Sequence, residues 1–224
     1  MAQGRNARIS KTVKKMAQAR EGIVCYKHND PIVTLKVTLL DSPYPIWRRF
    51  GVQSIATFRD LHMAVLSVMG WDGSHLWQFK VGQQIIGDCD LLEMDPRDDT
   101  GFIDAETYTL GDAIAANVKT FGYTYDFGDN WQHKVTIEKV GPGDTDIAIY
   151  PVMLDHKGRC PPDNVGGIGG FVRFLETMGD PKSSAFKKAK IWNGGVFDPN
   201  AVEYRVTAIR LDSLAMKLQK PPKL

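Results

Sequence analysis

Apolar and polar residues alternate along the segment that follows Pro31. Positions 33, 35, 37 and 39 are Val or Leu, while the residues between them are Thr or Lys. Because side chains of a strand point alternately to opposite faces, this pattern predicts a strand with one buried face. A break rich in proline at 41–45 precedes the segment 46–52, for which we predict an antiparallel return strand. Arg48 has the same parity as the apolar residues of that strand, so it must lie at a sheet edge or have a partner.

The next pattern has helical spacing and runs from Phe58 to Gly70. Thr57 precedes Asp60 by three positions, which is the arrangement of a capping box, and Gly70 is a stop signal. The sequence therefore predicts a helix between these limits. Similar patterns predict further elements, namely a strand over 75–81, a short helix near 110–118, a segment around 147–154, a helix over 171–178, a basic helix near 183–192 and a strand or helix over 202–218.

A hairpin is predicted around Gly128-Asp129-Asn130. On both sides of this turn the odd-numbered positions, 121–127 and 131–137, hold aromatic, histidine or aliphatic side chains. A three-residue loop at 128–130 pairs residue 127 with 131 and residue 125 with 133, which stacks these side chains on one face. Such a loop requires Gly128 or Asn130 to adopt a positive φ.

These elements predict an α+β fold, a single domain in which a mostly antiparallel sheet packs with several helices. The 224 residues, of which 43% are apolar, are enough for a packed core and exclude global disorder. We expect a basic, flexible N-terminal arm over 1–22, the domain over 23–218 and a C-terminal tail over 219–224. The sequence contains no apolar run of the ~18–20 residues that a membrane helix needs. Its three scattered cysteines favour a reducing compartment, so we expect a cytoplasmic protein.

The formal net charge of +2 averages over unlike segments. Residues 1–20 hold six of the 28 basic residues and no acid, so 22 bases remain against 26 acids, a net charge of −4 for the rest. Basic segments can bind nucleic acid by neutralising phosphates, whereas a solvated leader is the alternative for the arm. The residues predicted to contact nucleic acid are Arg5, Arg8, Lys11, Lys14, Lys15, Arg20, Lys187, Lys188 and Lys190.

Several segments together resemble the Ri-plasmid ORF-three-like family, also described as plasmid pRiA-type ORF-3-like, whose relatives include TnpR-type passenger proteins of insertion elements. The resemblance runs from about residue 32 to about residue 205. It implies a compact α+β domain and an association with plasmids and mobile elements, and it carries over no settled biochemical role. The segments that carry it are Leu35-Lys36-Val37-Thr38-Leu39, Ile46-Trp47-Arg48-Arg49-Phe50, Asp60-Leu61-His62, Gly70-Trp71-Asp72-Gly73-Ser74-His75-Leu76, Tyr125-Asp126-Phe127-Gly128-Asp129-Asn130-Trp131-Gln132-His133 and Cys160-Pro161-Pro162.

A metal or acid–base site could be built from Asp126, Asp129 and His133 of the hairpin together with Asp163. These residue types ligate zinc or manganese, but their spacing matches no established metal-binding motif. We therefore predict no cofactor, with a divalent metal as the alternative. In the competing interpretation His133 is a histidine at the edge of the core and the acids serve the turn. Further side chains of these types are His62, Asp72, His75 and Cys160.

Two other patterns have weaker support. The glycine-rich segment 166–170 could offer N–H groups to a phosphate, yet it lacks the dinucleotide and P-loop fingerprints, and a glycine-rich turn that lets a loop pass close to the sheet explains it better. His156, Arg159, Trp192 and Tyr204 occur in the order found in tyrosine recombinases, but outside a large helical domain. A resolvase or recombinase is accordingly our third hypothesis.

The leading hypothesis is a non-catalytic binding or accessory protein that acts near nucleic acid or a protein partner. The alternative is a metal-assisted hydrolase or transferase that uses Asp126, Asp129, His133 and Asp163.

Overall fold

The computed structural model describes residues 30–89, 101–142, 150–202 and 204–218. The predicted arm over 1–22 and tail over 219–224 lie outside these residues. The described residues form eight strands and five helices. The strands are β1 (Ile32–Leu39), β2 (Trp47–Gln53), β3 (Trp77–Val81), β4 (Gln84–Gly87), β5 (Phe102–Asp104), β6 (Thr120–Tyr125), β7 (Trp131–Gly141) and β8 (Val152–Lys157). The helices are α1 (Phe58–Met69), α2 (Leu110–Ala115), α3 (Gly167–Met178), α4 (Ser184–Trp192) and α5 (Tyr204–Leu218).

All eight strands belong to one sheet, in the order β5-β4-β3-β6-β7-β1-β2-β8. Neighbouring strands are antiparallel except β4 and β5, which are parallel. The predicted α+β fold with a mostly antiparallel sheet is therefore confirmed. Strand β1 lies between β7 and β2, so its backbone is paired on both sides.

One face of the sheet packs against the helices. Leu35 of β1, Phe50 of β2, Leu61 of α1 and Phe171 of α3 are all fully buried in a single hydrophobic cluster. The residues of alternate parity, such as Lys36 of β1, remain partly exposed. Burial of only one parity is the reason that these strands could be predicted from alternation alone.

Helix α1 begins and ends where its sequence signals predict. The Thr57 hydroxyl accepts a hydrogen bond from the Asp60 N–H at 3.1 Å, and Oδ2 of Asp60 accepts one from the Thr57 N–H at 2.9 Å. Gly70 follows in the left-handed conformation with φ 93° and donates to the Leu66 carbonyl. Both ends of the helix are thus closed by local hydrogen bonds.

The hairpin has a longer loop than predicted. Strands β6 and β7 pair Tyr125 with Trp131, so the loop is 126–130 and the predicted pairing of residue 127 with 131 is wrong. Asp126 causes the difference, because it adopts φ 55° and its Oδ1 accepts hydrogen bonds from the N–H groups of the next turn. Phe127 consequently leaves the sheet and is 42% exposed. The positive φ predicted for Asn130 is confirmed at 53°.

Other boundaries differ modestly from the predicted ones. Helix α3 starts four residues earlier than predicted, at Gly167, and the C-terminal segment is a helix rather than a strand. Strand β8 begins at Val152, and part of the segment predicted around 147–154 lies outside the described residues. Of the helices that the structure describes, none combines the length and apolarity needed to cross a membrane.

Candidate functional site

Three loops meet at one end of the sheet, and carboxylates join them. The first loop, 70–76, follows α1; the second is the hairpin turn 126–130; the third, 160–166, precedes α3. Oδ2 of Asp163 accepts a hydrogen bond from the Asp72 N–H at 3.0 Å, and Oδ2 of Asp129 accepts one from the Gly166 N–H at 3.0 Å. Nδ1 of His75 lies 3.6 Å from Oδ2 of Asp126. We call this group the carboxylate junction; it comprises Asp72, His75, Asp126, Asp129 and Asp163.

The carboxyl groups of Asp72 and Asp163 are neighbours, and their pKa values shift in opposite directions. Hydrogen bonds from Ser74 are the main cause that lowers the pKa of Asp72, whereas burial is the main cause that raises the pKa of Asp163. Of the two carboxyl groups, Asp163 therefore takes up a proton first as the pH falls. Oδ1 of Asp163 is buried and has no hydrogen-bond partner among the described residues.

The acids of the hairpin turn hold backbone groups. Oδ1 of Asp126 accepts from the N–H groups of Gly128 at 2.9 Å and Asp129 at 3.2 Å, which is the arrangement of an Asx turn. Asp129 reaches the N-cap residue of α3, Gly166, so a carboxylate occupies the positive end of this helix. The N-terminal end of α3, which the sequence suggested as a phosphate site, is thus occupied by the Asp129 carboxylate.

Gly167 explains the glycine-rich segment ahead of α3. It has φ 64°, and a Cβ atom placed on it would lie 2.5 Å from the carbonyl oxygen of Asp129. A side chain at this position would therefore collide with the hairpin turn. The sequence predicted a close approach of this segment to the sheet; the structure shows a close approach to the hairpin loop that joins β6 and β7.

His133 lies beneath the junction in the core. It is only 2% exposed, its ring meets Trp71 edge-on at 5.3 Å, and Nδ1 lies 3.2 Å from the Tyr123 carbonyl oxygen. Burial lowers the pKa of His133 to about 4, so the ring is neutral at pH 7. In the described part of the chain, none of its hydrogen bonds reaches Asp126, Asp129 or Asp163.

The structure thus gathers the three predicted acids at the junction and places His133 below them. The assignment of Asp126, Asp129, His133 and Asp163 to a catalytic site stays a prediction. Among the residues described, no three His, Cys, Asp or Glu side chains are grouped so that they could hold a metal ion.

A second candidate surface is formed by helix α4. Ser183 caps this helix by accepting from the Phe186 N–H at 3.0 Å, and no residue of Ser184–Trp192 is buried. Ile191 is 81% exposed and Trp192 is 53% exposed. Residues 181–197 contain no acid. We call the exposed basic and aromatic side chains of this helix the α4 surface; they are Lys187, Lys188, Lys190 and Trp192.

The outer face of the sheet also combines an aromatic ring with bases, but these bases are already engaged. Nζ of Lys36 lies 4.8 Å from the Trp47 ring centroid, and the Arg49 guanidinium lies 5.2 Å from it. Arg49 in addition forms ion pairs with Glu138 at 2.5 Å and with Asp155 at 3.0 Å. The charge of Arg49 is therefore compensated by two carboxylates within the protein.

Of the residues in recombinase-like order, the structure brings His156 and Tyr204 together, with their ring centroids 6.1 Å apart, while Arg159 and Trp192 contact other rings. The Arg159 guanidinium lies 4.7 Å from the Phe197 ring centroid, and the Tyr204 hydroxyl donates to the Met153 carbonyl at 3.3 Å. Trp192 meets Phe174 edge-on at 5.7 Å on another helix pair.

Comparisons with known proteins follow the same segments. The family model described as Plasmid pRiA4b ORF-3-like protein matches residues 31–206, which include the carboxylate junction and the α4 surface. The chain belongs to this family. The resemblance drawn from the sequence is thereby confirmed.

Two members or neighbours of the plasmid ORF-3-like family show how far the similarity extends. "Uncharacterized protein y4hQ" of Sinorhizobium fredii (strain NBRC 101917 / NGR234) is 33% identical over 188 residues, which cover 83% of this chain and 93% of that protein. A solved structure, "Crystal Structure of Protein of Unknown Function MM3350 from Methanosarcina mazei Go1", matches with a TM-score of 0.70 at 30% identity. That match covers 81% of this chain and 98% of the other. These descriptions support the fold and name no activity.

Proposed function

We propose that this protein is a non-catalytic nucleic-acid-binding protein that contacts its partner through the α4 surface. The observation that carries the proposal is the exposure of Lys187, Lys188 and Lys190 on a capped helix beside a half-exposed Trp192. Lysines of this kind neutralise phosphates with release of counterions, and an exposed indole offers a face on which a base can stack.

The environment of the helix favours a polyanion as the partner. Because residues 181–197 contain no acid, the α4 lysines have no carboxylate in their own segment to compensate them. Lys182 adds a further exposed positive charge just before the helix. The outer face of the sheet offers less to a polyanion, since Arg49 there is already paired with two acids.

The edge-on contact with Phe174 gives Trp192 a defined position on the surface. Stacking of an unpaired base on such a ring contributes about 1–3 kcal/mol, and it does not depend on the base sequence. We therefore expect binding that prefers single strands and has little sequence specificity.

The test compares two triple variants of the full chain by fluorescence anisotropy with a labelled single-stranded oligonucleotide. The variant Lys187→Gln, Lys188→Gln, Lys190→Gln should weaken binding and reduce the slope of log K against log salt by about 2, since each lysine that neutralises a phosphate of a single strand contributes about 0.7. The matched control Lys80→Gln, Lys134→Gln, Lys139→Gln removes the same charge from exposed positions of the sheet and should leave the slope unchanged.

Equal loss in both variants would contradict the proposal, because the effect would then follow from net charge alone. Retention of full binding by the α4 variant, with loss on removal of residues 1–22, would transfer the function to the basic arm. If the wild-type chain binds no oligonucleotide at low salt, a protein partner on Ile191 and Trp192 becomes the better explanation.

A further inference from the structure

A small cleft beside the carboxylate junction has a different chemistry from the α4 surface. It lies between the end of α1 at Val68–Gly70, the loop Arg159–Asp163 and the first turns of α5, and its volume is about 170 Å³. Since a water molecule occupies about 30 Å³ in the liquid, the cleft has room for roughly five or six waters. Sites for drug-sized ligands are about 300–1,000 Å³, so the occupant of this cleft must be small.

The lining of the cleft is strongly positive. Arg48, Arg159 and Arg210 line it, and among the described residues of the lining Asp163 is the one acid. The other walls are mostly apolar, including Val68, Met69, Pro161, Pro162 and Val206. Apolar walls keep the local dielectric low and so strengthen the attraction of the guanidinium groups for an anion.

Arg48 supplies a fixed charge at the back of the cleft. It is 2% exposed, and it donates hydrogen bonds to four carbonyl groups and to Sγ of Cys160. No carboxylate of the described residues forms an ion pair with it. Its charge is therefore stabilised by dipoles alone, and a monoanion or dianion in the cleft would compensate it.

Arg210 lies on α5 at the opposite side of the cleft. Its Nη1 donates to the Trp71 carbonyl at 3.1 Å, which uses one of the five N–H groups of a guanidinium and holds the side chain in place. Thr207 lies one helical turn earlier and lines the same space. A guanidinium fork is a common ligand for phosphate oxygens.

From this geometry we infer that the cleft binds one phosphate group, as inorganic phosphate or as the head of a phosphomonoester, with the Arg210 guanidinium as its principal ligand and Arg48 and Arg159 as further positive charges in its lining. Asp163 opposes the binding of this anion when it is ionised and can donate a hydrogen bond from Oδ1 when it is protonated. This inference does not depend on the nucleic-acid function, since it concerns residues outside the α4 surface.

The test is isothermal titration calorimetry of the full chain with inorganic phosphate and with phenyl phosphate, at constant ionic strength set with chloride. Saturable binding is expected for at least one of the two compounds. Tighter binding of phenyl phosphate would identify a monoester, whereas equal or weaker binding would identify free phosphate. Arg210→Gln should weaken binding at least tenfold, while Arg173→Gln, an exposed arginine on α3, should leave it unchanged.

Asp163→Asn should have the opposite effect on phosphate affinity, because it removes a carboxylate from the lining of the cleft and keeps an oxygen for the Asp72 N–H. We expect it to tighten phosphate binding severalfold at pH 8.

Circular dichroism shows whether each variant is folded. If Arg210→Gln is not folded, Arg210→Lys replaces it, since lysine keeps the positive charge. The inference is overturned if neither compound binds at millimolar concentration, or if Arg173→Gln weakens binding as much as Arg210→Gln. Variants of Lys187 and Lys188 should retain phosphate binding, which separates this result from the test of the α4 surface.

Discussion

Arg48 donates a hydrogen bond from Nη2 to Sγ of Cys160 at 2.9 Å, although 112 residues separate the two in sequence. The same guanidinium donates from Nε to the Val68 carbonyl at 2.8 Å, in the last turn of α1. Because helix C-termini carry partial negative charge, α1 stabilises this buried cation. Arg48 thereby joins β2, α1 and the loop after β8. These hydrogen bonds explain how a charged residue can lie at a position of β2 whose side chain points into the core.

Arg48→Met should destabilise the protein by on the order of 3 kcal/mol or more, because it leaves buried carbonyl groups without donors. Equilibrium urea unfolding measures this as a lower midpoint. Arg49→Met is the matched control at the next position, where the side chain is 30% exposed and pairs with Glu138 and Asp155. Its cost should be about 1 kcal/mol or less. Equal costs for the two variants would contradict the structural role of Arg48.

Asp163→Asn should be neutral or stabilising at pH 7, by up to about 1 kcal/mol. The amide removes the burial of a charge and the repulsion between neighbouring carboxylates, two effects that raise the pKa of Asp163, and its oxygen can still accept from the Asp72 N–H. Asp163→Ala should instead be destabilising by about 1 kcal/mol, because it removes the acceptor. Thermal unfolding of both variants checks this difference in sign; destabilisation by asparagine as large as that by alanine would count against an unfavourable charge at Asp163.

Gly167→Ala should destabilise the protein by about 2–5 kcal/mol. A methyl group there adds a collision with the Asp129 carbonyl to the usual cost of a positive φ. Gly194→Ala is the control, since Gly194 has φ 69° but nothing within 4 Å of an added Cβ. It should cost only about 1 kcal/mol. The comparison, made by urea unfolding, fails if both substitutions cost the same.

Stability should decrease between pH 7 and pH 5 because two histidines are buried in neutral form. Burial lowers the pKa of His62 to about 3 and the pKa of His133 to about 4. Below the ordinary pKa of about 6.5 the unfolded chain takes up protons that the folded protein does not, so each ring costs about 2 kcal/mol at pH 5. Asp163 acts in the opposite direction, because its raised pKa favours the folded state as the pH falls.

Proton NMR of the imidazole resonances checks this directly. Neither His62 nor His133 should titrate between pH 7.5 and pH 5.5 while the protein stays folded. A midpoint near pH 6.5 for His133 would show that the ring is reached by water and would revive its assignment to an active site.

Local signals were sufficient where a residue's neighbours in sequence are also its neighbours in space. The capping box of Thr57 and Asp60, the alternation of β1 and the turn residue Asn130 all act over a few positions, and the structure agrees with each. The predicted register of the hairpin was wrong because the Asp126 side chain binds the N–H groups of the turn. This lengthens the loop, but the same odd-numbered residues still share one face of the sheet.

Contacts between distant segments could not be predicted in this way. Asp163 was singled out by residue type, but its partner Asp72 lies 91 residues away and is reached through two loops. Arg210 carried no signal, since a single arginine in a C-terminal helix becomes notable only when packing places it in the lining of a cleft together with Arg48 and Arg159.

The sequence by itself determined the α+β class, most of the secondary structure, the family and the separation of charge along the chain. These follow from periodicity, local hydrogen bonding and composition, which do not depend on the path of the chain in space. Only the tertiary structure decided that His133 is a neutral core residue, that the acids hold three loops together, and that Arg48, Arg159 and Arg210 line one cleft. The burial of a charged side chain, its hydrogen-bond partners and the electrostatic potential around it exist only in the packed molecule. The chemistry of each charged side chain was therefore set by folding.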